Sequence, residues 1–404
     1  MIKKRIKISL NDFALLFLTL GILAFPDIQI ICLGSQIFAL GIVACNLLTG
    51  NIMMKQETVK YSIWALVFWG YCLVSCLWTI PTNITAIRCT ISVLQCCLVG
   101  FMVLYFANTK KKLQYLTNLF IVAGVILSIR FFIQVPSSVW GKEIRFENDP
   151  LFESNSTAVF LAYASALIVY FYVFNKQKMS KQLFSIFLVF VFMFVSLMTG
   201  TKKGILIFGI IVLSTFVLKS QNPLKLIFRI GISVFLVFVA FYIIMHVDLL
   251  YGAIGYRFER MIYQILGVNG IVDGSTRERV AFIKSAVHVF KENPIVGVGI
   301  DGFRYLNEIQ HTYSHNNFTE LLANLGIIGF AIYYSEYFGI VVKSKYFIKN
   351  NQIVFVMALA MIIADYGSVT YSSELQFILL GYLCASLTVI RSEKNEESRI
   401  MYNI

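Results

Sequence analysis

The chain is short of charged residues and of proline, and both shortages narrow its class. Only 14% of its 404 residues are Asp, Glu, Lys or Arg, and only six are proline. Soluble globular chains carry about 25% charged residues, so this chain has too little polar surface to coat a water-soluble particle of its size. The shortages exclude a soluble enzyme, a disordered chain and a collagen-like fibre.

The chain also lacks the usual signs of a disulfide framework, a metal site or a nucleotide site. All eight cysteines lie within apolar runs, where we expect them to act as small hydrophobic side chains. His311 and His315 are four residues apart, a spacing that can place both on one helix face, but no carboxylate accompanies them at the usual ligand spacing. Gly297, Gly299 and Gly302 do not form a dinucleotide fingerprint, because no strand–turn–helix unit surrounds them. We therefore expect no metal, cofactor or nucleotide.

Long apolar runs dominate what is present, since 58% of the residues are hydrophobic. About 20 apolar residues in helical form cross the hydrocarbon core of a membrane, and only helices or closed barrels satisfy their backbone there. Solid runs without alternation predict an all-α polytopic integral membrane protein with about twelve transmembrane helices, forming a single domain over residues 1–404. The twelve runs are Leu10–Phe25, Ile28–Leu48, Val59–Ile80, Ile84–Phe106, Leu113–Val135, Ser154–Phe174, Leu183–Met198, Gly204–Leu218, Leu226–Val247, Phe318–Val342, Gln352–Val369 and Leu375–Ile390.

The positions of the basic residues predict the orientation in the membrane. The formal charge of +13 is carried mostly by clusters in alternate connections, which is the positive-inside pattern and not a nucleic-acid signal. This pattern predicts a cytoplasmic membrane protein with both termini in the cytoplasm and an even number of spans. The clusters are Lys3–Lys7, Lys55–Lys60, Lys110–Lys112, Lys176–Lys181, Lys219–Arg229, Lys343–Lys349 and Arg391–Arg399.

Several cations fall on the predicted outer side, against this pattern. Arg88, Arg130 and Arg145 lie near span ends or in a loop, and Lys202 and Lys203 interrupt an apolar stretch. Adjacent ammonium groups near membrane depth cost several kcal/mol unless they reach an interface, a cavity or an anion. Alternative interpretations make Arg88 and Arg130 interface anchors, or partners of two acidic residues near the ends of the last spans, Asp365 and Glu374.

One long connection, residues 248–317 between the ninth and tenth spans, is predicted to be extracytoplasmic and to carry part of an active site. Its Arg277–Glu292 segment has apolar residues at helical spacing, which predicts an amphipathic helix on the outer membrane surface near the lipid head groups. Asn293-Pro294 ends that helix, and Gly297-Val298-Gly299 is expected to form a tight, flexible turn. Cations with a nearby histidine suit a lipid-linked phosphate or pyrophosphate, because arginine binds phosphate oxygens bidentately and histidine transfers protons near neutral pH.

Three stretches carry a resemblance to a known family. His315-Asn316, nine residues and Gly326-Ile327-Ile328-Gly329 resemble the His-Asn-x9-Gly-x-x-Gly signature of the O-antigen ligase and polymerase superfamily. Arg279, followed by Asn293-Pro294-Ile295-Val296-Gly297-Val298-Gly299 and Phe303, is similar to a second family stretch. Thr199-Gly200-Thr201-Lys202-Lys203-Gly204 resembles the family's Gly-Ser-Arg motif, with Lys202 in place of the arginine. This departure keeps the charge and loses the bidentate fork.

The resemblance implies a GT-C-type, metal-independent, inverting glycosyltransferase that acts on undecaprenyl-pyrophosphate-linked glycans. By carry-over, Arg279 and Lys202 hold the donor pyrophosphate, and His315 positions or deprotonates the acceptor hydroxyl. Arg145 resembles an earlier outer-loop motif and adds a second phosphate contact. The remaining candidate substrate-binding residues are Lys203, Arg277, Asn316, Glu320, Arg88 and Arg130, with Glu320 orienting the imidazole or binding sugar hydroxyls. As alternatives, His315 caps a helix and Arg279 lies on a solvated face.

Three functions fit these expectations. The first is an outer-face polymerase of lipid-linked repeat units of O-antigen, capsule or exopolysaccharide, with a flippase and a chain-length regulator as partners. The second is an O-antigen ligase that moves the finished glycan to lipid A–core or another acceptor. The third, a flippase for the lipid-linked glycan, predicts inverted repeats and broken helices near mid-membrane, and the sequence shows no internal repeat.

Overall fold

The computed structural model describes residues 9–51, 54–79, 83–142, 154–174, 177–220, 222–267, 274–307, 309–346 and 351–402. These residues form helices and connections without a strand, as the sequence predicted. By length and composition, eight of the described helices can cross a membrane, and two further apolar helices are shorter. The all-α polytopic membrane architecture is therefore confirmed.

Twelve helices of the described chain coincide with the twelve apolar runs, and four further helices lie in the connection between the ninth and tenth of these. The twelve are α1 Leu10–Leu23, α2 Gln29–Leu48, α3 Gln56–Ser75, α4 Asn83–Phe106, α5 Lys110–Gln134, α6 Ser154–Ile168, α7 Met179–Met198, α8 Lys202–Leu218, α9 Pro223–His246, α14 Asn317–Tyr346, α15 Gln352–Ala364 and α16 Glu374–Tyr402. The four in the connection are α10 Asp248–Leu250, α11 Tyr256–Ile265, α12 Gly274–Glu292 and α13 Phe303–Leu306.

Local sequence explains where individual helices begin and end. Asn222 caps α9 by accepting from the Leu224 and Lys225 amides, and Pro223 occupies the first turn, where its missing N–H costs nothing. Helix α3 ends five residues before its apolar run does. A tertiary contact explains this early end. The residues after Ser75 turn toward the long connection, where the Thr79 hydroxyl donates to the Ile300 carbonyl at 2.9 Å.

Charged residues cluster at one end of the helix bundle. Glu57, at the start of α3, accepts from Lys60 at 3.1 Å and from Lys343 and Arg391 at 3.0 Å each. These cations lie on α3, α14 and α16, so one carboxylate joins three helices. Lys112 pairs with Asp12 at the same end, where α1 and α5 begin. We call this the basic end of the bundle.

Helix α12 contains the predicted 277–292 helix, and part of its apolar surface packs inside the protein. Ala286 and Val289 pack against Val298, Phe303 and Ala323, whereas Val280 of the predicted apolar stripe is 46% exposed. The placement of this helix on the outer membrane surface therefore stays a prediction. An apolar stripe cannot distinguish a protein surface from a membrane surface, since both remove it from water.

Two glycines of the downstream motifs, Gly297 and Gly326, lie in one close contact, which we call the glycine clasp (residues 294–298 against 323–327). A Cβ on Gly297 would lie 2.5 Å from the Asn324 carbonyl carbon and oxygen, and one on Gly326 would lie 2.2 Å from the Ile295 carbonyl oxygen. Both glycines have positive φ, as does Gly299. The Val298 amide donates to Ala323 and the Ile327 amide to Pro294. The turn expected to be flexible is therefore buried and fixed.

Candidate functional site

A cavity of about 500 Å³ opens at the end of the bundle opposite the basic end. Its wall combines the last turns of α1, α5 and α15 with the first turns of α6, α8, α14 and α16. The side chains that bring chemistry to it are Lys203, Asp301, Arg304, Tyr313, His315, Glu320 and Glu374. Helices that alternate in direction thus bring residues far apart in sequence to one site.

His315 lies in the cavity wall in the connection just before α14. Its imidazole stacks on the Phe282 ring of α12 at 5.8 Å between centroids and lies 4.3 Å from the Tyr313 ring. Its backbone is in the left-handed region, with φ 56°, a conformation that is uncommon for residues other than glycine and that occurs often at functional sites. His315 is therefore held by two aromatic rings and an unusual backbone while it faces the cavity.

His311 is not on a common helix face with His315, contrary to the spacing argument. Both residues lie in a non-helical connection, and both have positive φ. The i, i+4 spacing has its geometric meaning only inside a helix. Among the described residues, no group of three or more His, Cys, Asp or Glu side chains is arranged to hold a metal ion.

Lys203 is the lysine of the Thr199–Gly204 motif that lines the cavity. Its ammonium group donates to the Ser368 hydroxyl and interacts electrostatically with Asp365 and Arg279. Lys202 is oriented toward the start of α12, where its Nζ lies 3.5 Å from the Thr276 Oγ1. The motif comparison assigned the phosphate contact to Lys202, whereas the structure places its neighbour in the cavity.

Arg279 approaches the same site from α12. It is half-buried and lies one helical turn before Phe282, the residue that stacks on His315. The charge of Arg279 acts on the Lys203 ammonium group, so the two cations lie within electrostatic range of each other. Arg277 is exposed on the same helix. Arg279 is thus the more buried of the two candidate arginines, although neither of them lines the cavity.

Asn316 and Glu320 fix the backbone around His315. The Asn316 side chain accepts from the Thr319 amide at 3.0 Å, which caps α14, and donates to the Tyr366 carbonyl at 3.2 Å. Glu320 is 1% exposed and accepts from the Ser314 amide at 2.6 Å and from the Asn324 side chain at 2.9 Å. Glu320 also lines the cavity. Both residues therefore determine where the imidazole stands.

Arg130 is held in a structural ion pair. Its guanidinium forms a bidentate pair with Asp27 at 2.8 and 2.9 Å and donates to the Ala24 carbonyl at 2.6 Å, which ties α5 to the α1–α2 connection. Arg88 is exposed on α4, directly before Cys89 of the cavity wall. Arg145 lies outside the described residues.

Three residues at or near the site were not among the predicted site residues, although Asp365 was considered as an ion-pair partner of the arginines. Arg304 lines the cavity and pairs with Asp301 at 3.3 Å, in the stretch that follows Gly299. Asp365, fully buried, accepts from the Tyr334 hydroxyl at 2.8 Å and from the Asn317 side chain at 3.2 Å. This pairing contradicts the alternative in which Asp365 and Glu374 neutralise Arg88 and Arg130, since Glu374 accepts from Gln36 and Gln95 and Arg130 pairs with Asp27.

Arg257 of α11 is the third omission. It donates to the Gly200 carbonyl at 3.0 Å and thereby holds the turn that presents Lys202 and Lys203. Gly200 has φ 65°, which explains why the turn contains glycine. The excess of cations in the long connection was a signal for Arg257 and Arg304, but only tertiary structure separates them from solvated arginines.

Comparison with known proteins gives one family. Residues 187–334 match the family described as O-antigen ligase, which confirms the resemblance to the O-antigen ligase and polymerase superfamily. A comparison with curated proteins found no match. The matched segment contains Lys203, Arg279, Arg304, His315 and Glu320, whereas the α15–α16 side of the cavity lies beyond it. Family and apolar helices together indicate a multi-pass membrane protein with a ligase- or polymerase-type role in polysaccharide biosynthesis.

Proposed function

Because residues 187–334 carry the O-antigen ligase family match, we propose that the chain is a membrane glycosyltransferase that polymerises undecaprenyl-pyrophosphate-linked oligosaccharide units. The observation that carries the proposal is the placement of His315, Lys203 and Arg304 on one cavity, with Arg279 beside it. A general base next to several cations suits the transfer of a sugar away from a diphosphate leaving group.

In this proposal the cations bind the donor pyrophosphate. Lys203 supplies a point charge that is already oriented by Ser368, and Arg279 and Arg304 supply planar guanidinium groups for phosphate oxygens. The negative charge on the diphosphate grows as the glycosidic bond breaks. Fixed cations stabilise that charge without reorganisation, which lowers the barrier to transfer.

His315 acts as the general base on the acceptor. The acceptor hydroxyl oxygen forms a bond to the anomeric carbon of the donor sugar, on the face opposite the diphosphate. The carbon–oxygen bond to the diphosphate breaks with its electron pair, and the hydroxyl proton moves to the imidazole. The anomeric configuration inverts, and the step requires neither a metal nor a cofactor.

We place this chemistry on the outer face of the cytoplasmic membrane. The cavity is at the end of the bundle opposite Glu57 and the cations around it, and basic residues favour the cytoplasmic side. The long connection 248–317 then supplies extracytoplasmic walls to the site, both termini are cytoplasmic, and a flippase delivers the lipid-linked donor. A chain-length regulator is a further expected partner.

The alternative function is that of a ligase. The description of the matched family as O-antigen ligase supports it as much as the superfamily supports a polymerase. A strain lacking this chain distinguishes the two. Loss of polymer with single repeat units still attached to the acceptor supports the polymerase. Loss of all attachment of the glycan supports the ligase, and accumulation of the donor on the cytoplasmic leaflet would support the flippase instead.

The central test is His315→Ala, with His288→Ala as the matched control. His288 lies in the same outer connection, but its side chain is exposed and pairs with Glu292 on the α12 surface. We expect His315→Ala to lower transfer in a reconstituted assay by about 100-fold or more, the usual contribution of a general base, and His288→Ala to keep wild-type activity. Near-normal transfer by the His315 variant at equal membrane abundance would contradict the proposal. The same assay with a chelator tests metal independence, because inhibition would indicate a metal step.

A further inference from the structure

Glu374 lies at the edge of the cavity and belongs to a polar cluster inside the helix bundle. Its carboxylate accepts from the Gln36 side chain at 2.9 Å, from Gln95 at 2.6 Å and from the Cys32 thiol at 3.0 Å. Gln95 also donates to the side-chain oxygen (Oε1) of Gln36 at 2.9 Å. Residues of α2, α4 and α16 therefore converge on one acid, in the half of the bundle that faces away from the basic end.

The composition of this cluster is unusual for its location. Among the described residues, the side chains that donate to Glu374 are neutral, and none of them is a cation. A charged side chain at membrane depth is costly, and such residues face cavities or substrate pathways far more often than lipid. Binding the three helices together would not require a charge, since a glutamine could make similar hydrogen bonds.

The surroundings of Glu374 differ from those of His315. Lys203, Arg304 and the nearby Arg279 make the His315 side of the site cationic, whereas the Glu374 side is formed by hydroxyl and amide groups. Ser372, Ser373 and Gln376 line the cavity from the same segment. A carboxyl group that accepts from amide and thiol donors, next to further hydroxyl groups, has the chemistry that recognises sugar hydroxyls and not phosphate.

We propose that Glu374 and the Ser372–Gln376 segment form the binding site for the acceptor sugar, with Glu374 accepting hydrogen bonds from its hydroxyl groups. This inference rests on the proposed glycosyl transfer and adds a division of the cavity to it. The cationic side holds the donor diphosphate. The Glu374 side holds the non-reducing end of the acceptor oligosaccharide, so that a hydroxyl of the acceptor is directed toward His315.

The test is a kinetic comparison of Glu374→Gln with wild type in lipid nanodiscs. The donor is a labelled undecaprenyl-pyrophosphate-linked repeat unit whose accepting hydroxyl is chemically blocked, so that it cannot also serve as acceptor, and the acceptor is the unblocked lipid-linked repeat unit. Transfer of the label is measured against acceptor concentration, and release of undecaprenyl pyrophosphate from the blocked donor is measured without acceptor. We expect the acceptor KM to rise about tenfold or more while donor-only release stays within twofold. Ser372→Ala, which removes one neutral hydroxyl, should raise the acceptor KM by about two- to fivefold.

Glu336→Gln is the matched control, because Glu336 is also half-buried and also accepts from a thiol, Cys384 at 3.4 Å, but is not on the cavity. It should leave the acceptor KM unchanged. If Glu374→Gln lowers transfer and donor release together, or leaves the acceptor KM at the wild-type value, the acceptor site is refuted while the proposed function stands. If the wild-type protein itself transfers no sugar, the proposed function fails first.

Discussion

Replacing Gly326 by alanine should lower the free energy of unfolding more than any other glycine-to-alanine substitution in α14. Gly326 interrupts the helix with φ 64° and ψ −169°, a region that only glycine occupies at low cost. The conformational penalty for alanine is of order 1–3 kcal/mol. The new Cβ would also lie 2.2 Å from the Ile295 carbonyl oxygen and 2.6 Å from the Val296 nitrogen.

The steric penalty of the new Cβ cannot be relieved by a side-chain movement, because the atoms that it would contact belong to the backbone. Opening the glycine clasp adds roughly 1–3 kcal/mol, typical of an overpacked site, for a total of about 2–6 kcal/mol. Globular chains have an unfolding entropy of about 2.1 cal/mol/K per residue, which gives about 0.85 kcal/mol/K over 404 residues. We therefore expect the melting temperature to fall by roughly 2–7 °C.

The assay is tryptophan fluorescence on heating of the purified protein in one fixed detergent. Gly339→Ala is the control, since Gly339 lies in the same helix and no heavy atom is within 4 Å of its built Cβ. Alanine favours the helix there, so this variant should melt at the wild-type temperature or slightly above it. Transfer activity should fall only in the Gly326 variant, because the clasp positions Asp301 and Arg304. Equal melting temperatures and activities for the two variants would refute the reasoning.

Two further predictions concern charged groups. Lys203→Met should lower the rate of transfer from the donor by about tenfold or more, and Lys202→Met should lower it less, because Lys203 is the lysine that lines the cavity. A larger loss for the Lys202 variant in donor titrations would instead assign the phosphate contact to Lys202. Burial raises the pKa of Asp301 above its ordinary value, and the positive charge of Arg304 acts in the opposite direction. The protonated carboxyl group therefore stabilises the folded state at low pH. This stabilisation is lost as the pH rises through the pKa of Asp301 in the folded state. Wild type should therefore become less stable relative to Asp301→Asn as the pH rises above the ordinary aspartate pKa and through the raised pKa of the folded state. Thermal melts that show no pH dependence in this difference would contradict the prediction.

The fold was largely predictable because the lipid imposes a simple rule. A run of about 20 apolar residues has few alternatives to a membrane helix, and the long helices lie where the runs do. The apolar pattern is less informative where two apolar environments compete. Ala286 and Val289 of α12 pack against Val298, Phe303 and Ala323, and the same pattern of residues suits a protein surface and a membrane surface alike.

The site was predictable in part, and the errors have a common physical origin. Motif spacing selected the right segments, but a helix turns by about 100° per residue, so neighbours such as Lys202 and Lys203 point to different surroundings. The sequence predicts Arg130 as a phosphate ligand, but in the structure its guanidinium group pairs with the Asp27 carboxylate at 2.8 Å. The partner of a charge comes from tertiary structure, and it decides whether the charge is available to a substrate.

The family match leaves the acceptor side of the cavity unassigned. Much of the motif pattern in residues 293–329 holds the long connection against α14, where His315 and Arg304 line the cavity. That segment, with the cations that we propose for the donor, lies inside the family match. The Ser372–Gln376 segment lies outside it. If polymerases and ligases of this superfamily share the donor and differ in the acceptor, the difference must reside in walls like this one. Exchanging this segment is then the change most able to alter which glycan receives the sugar.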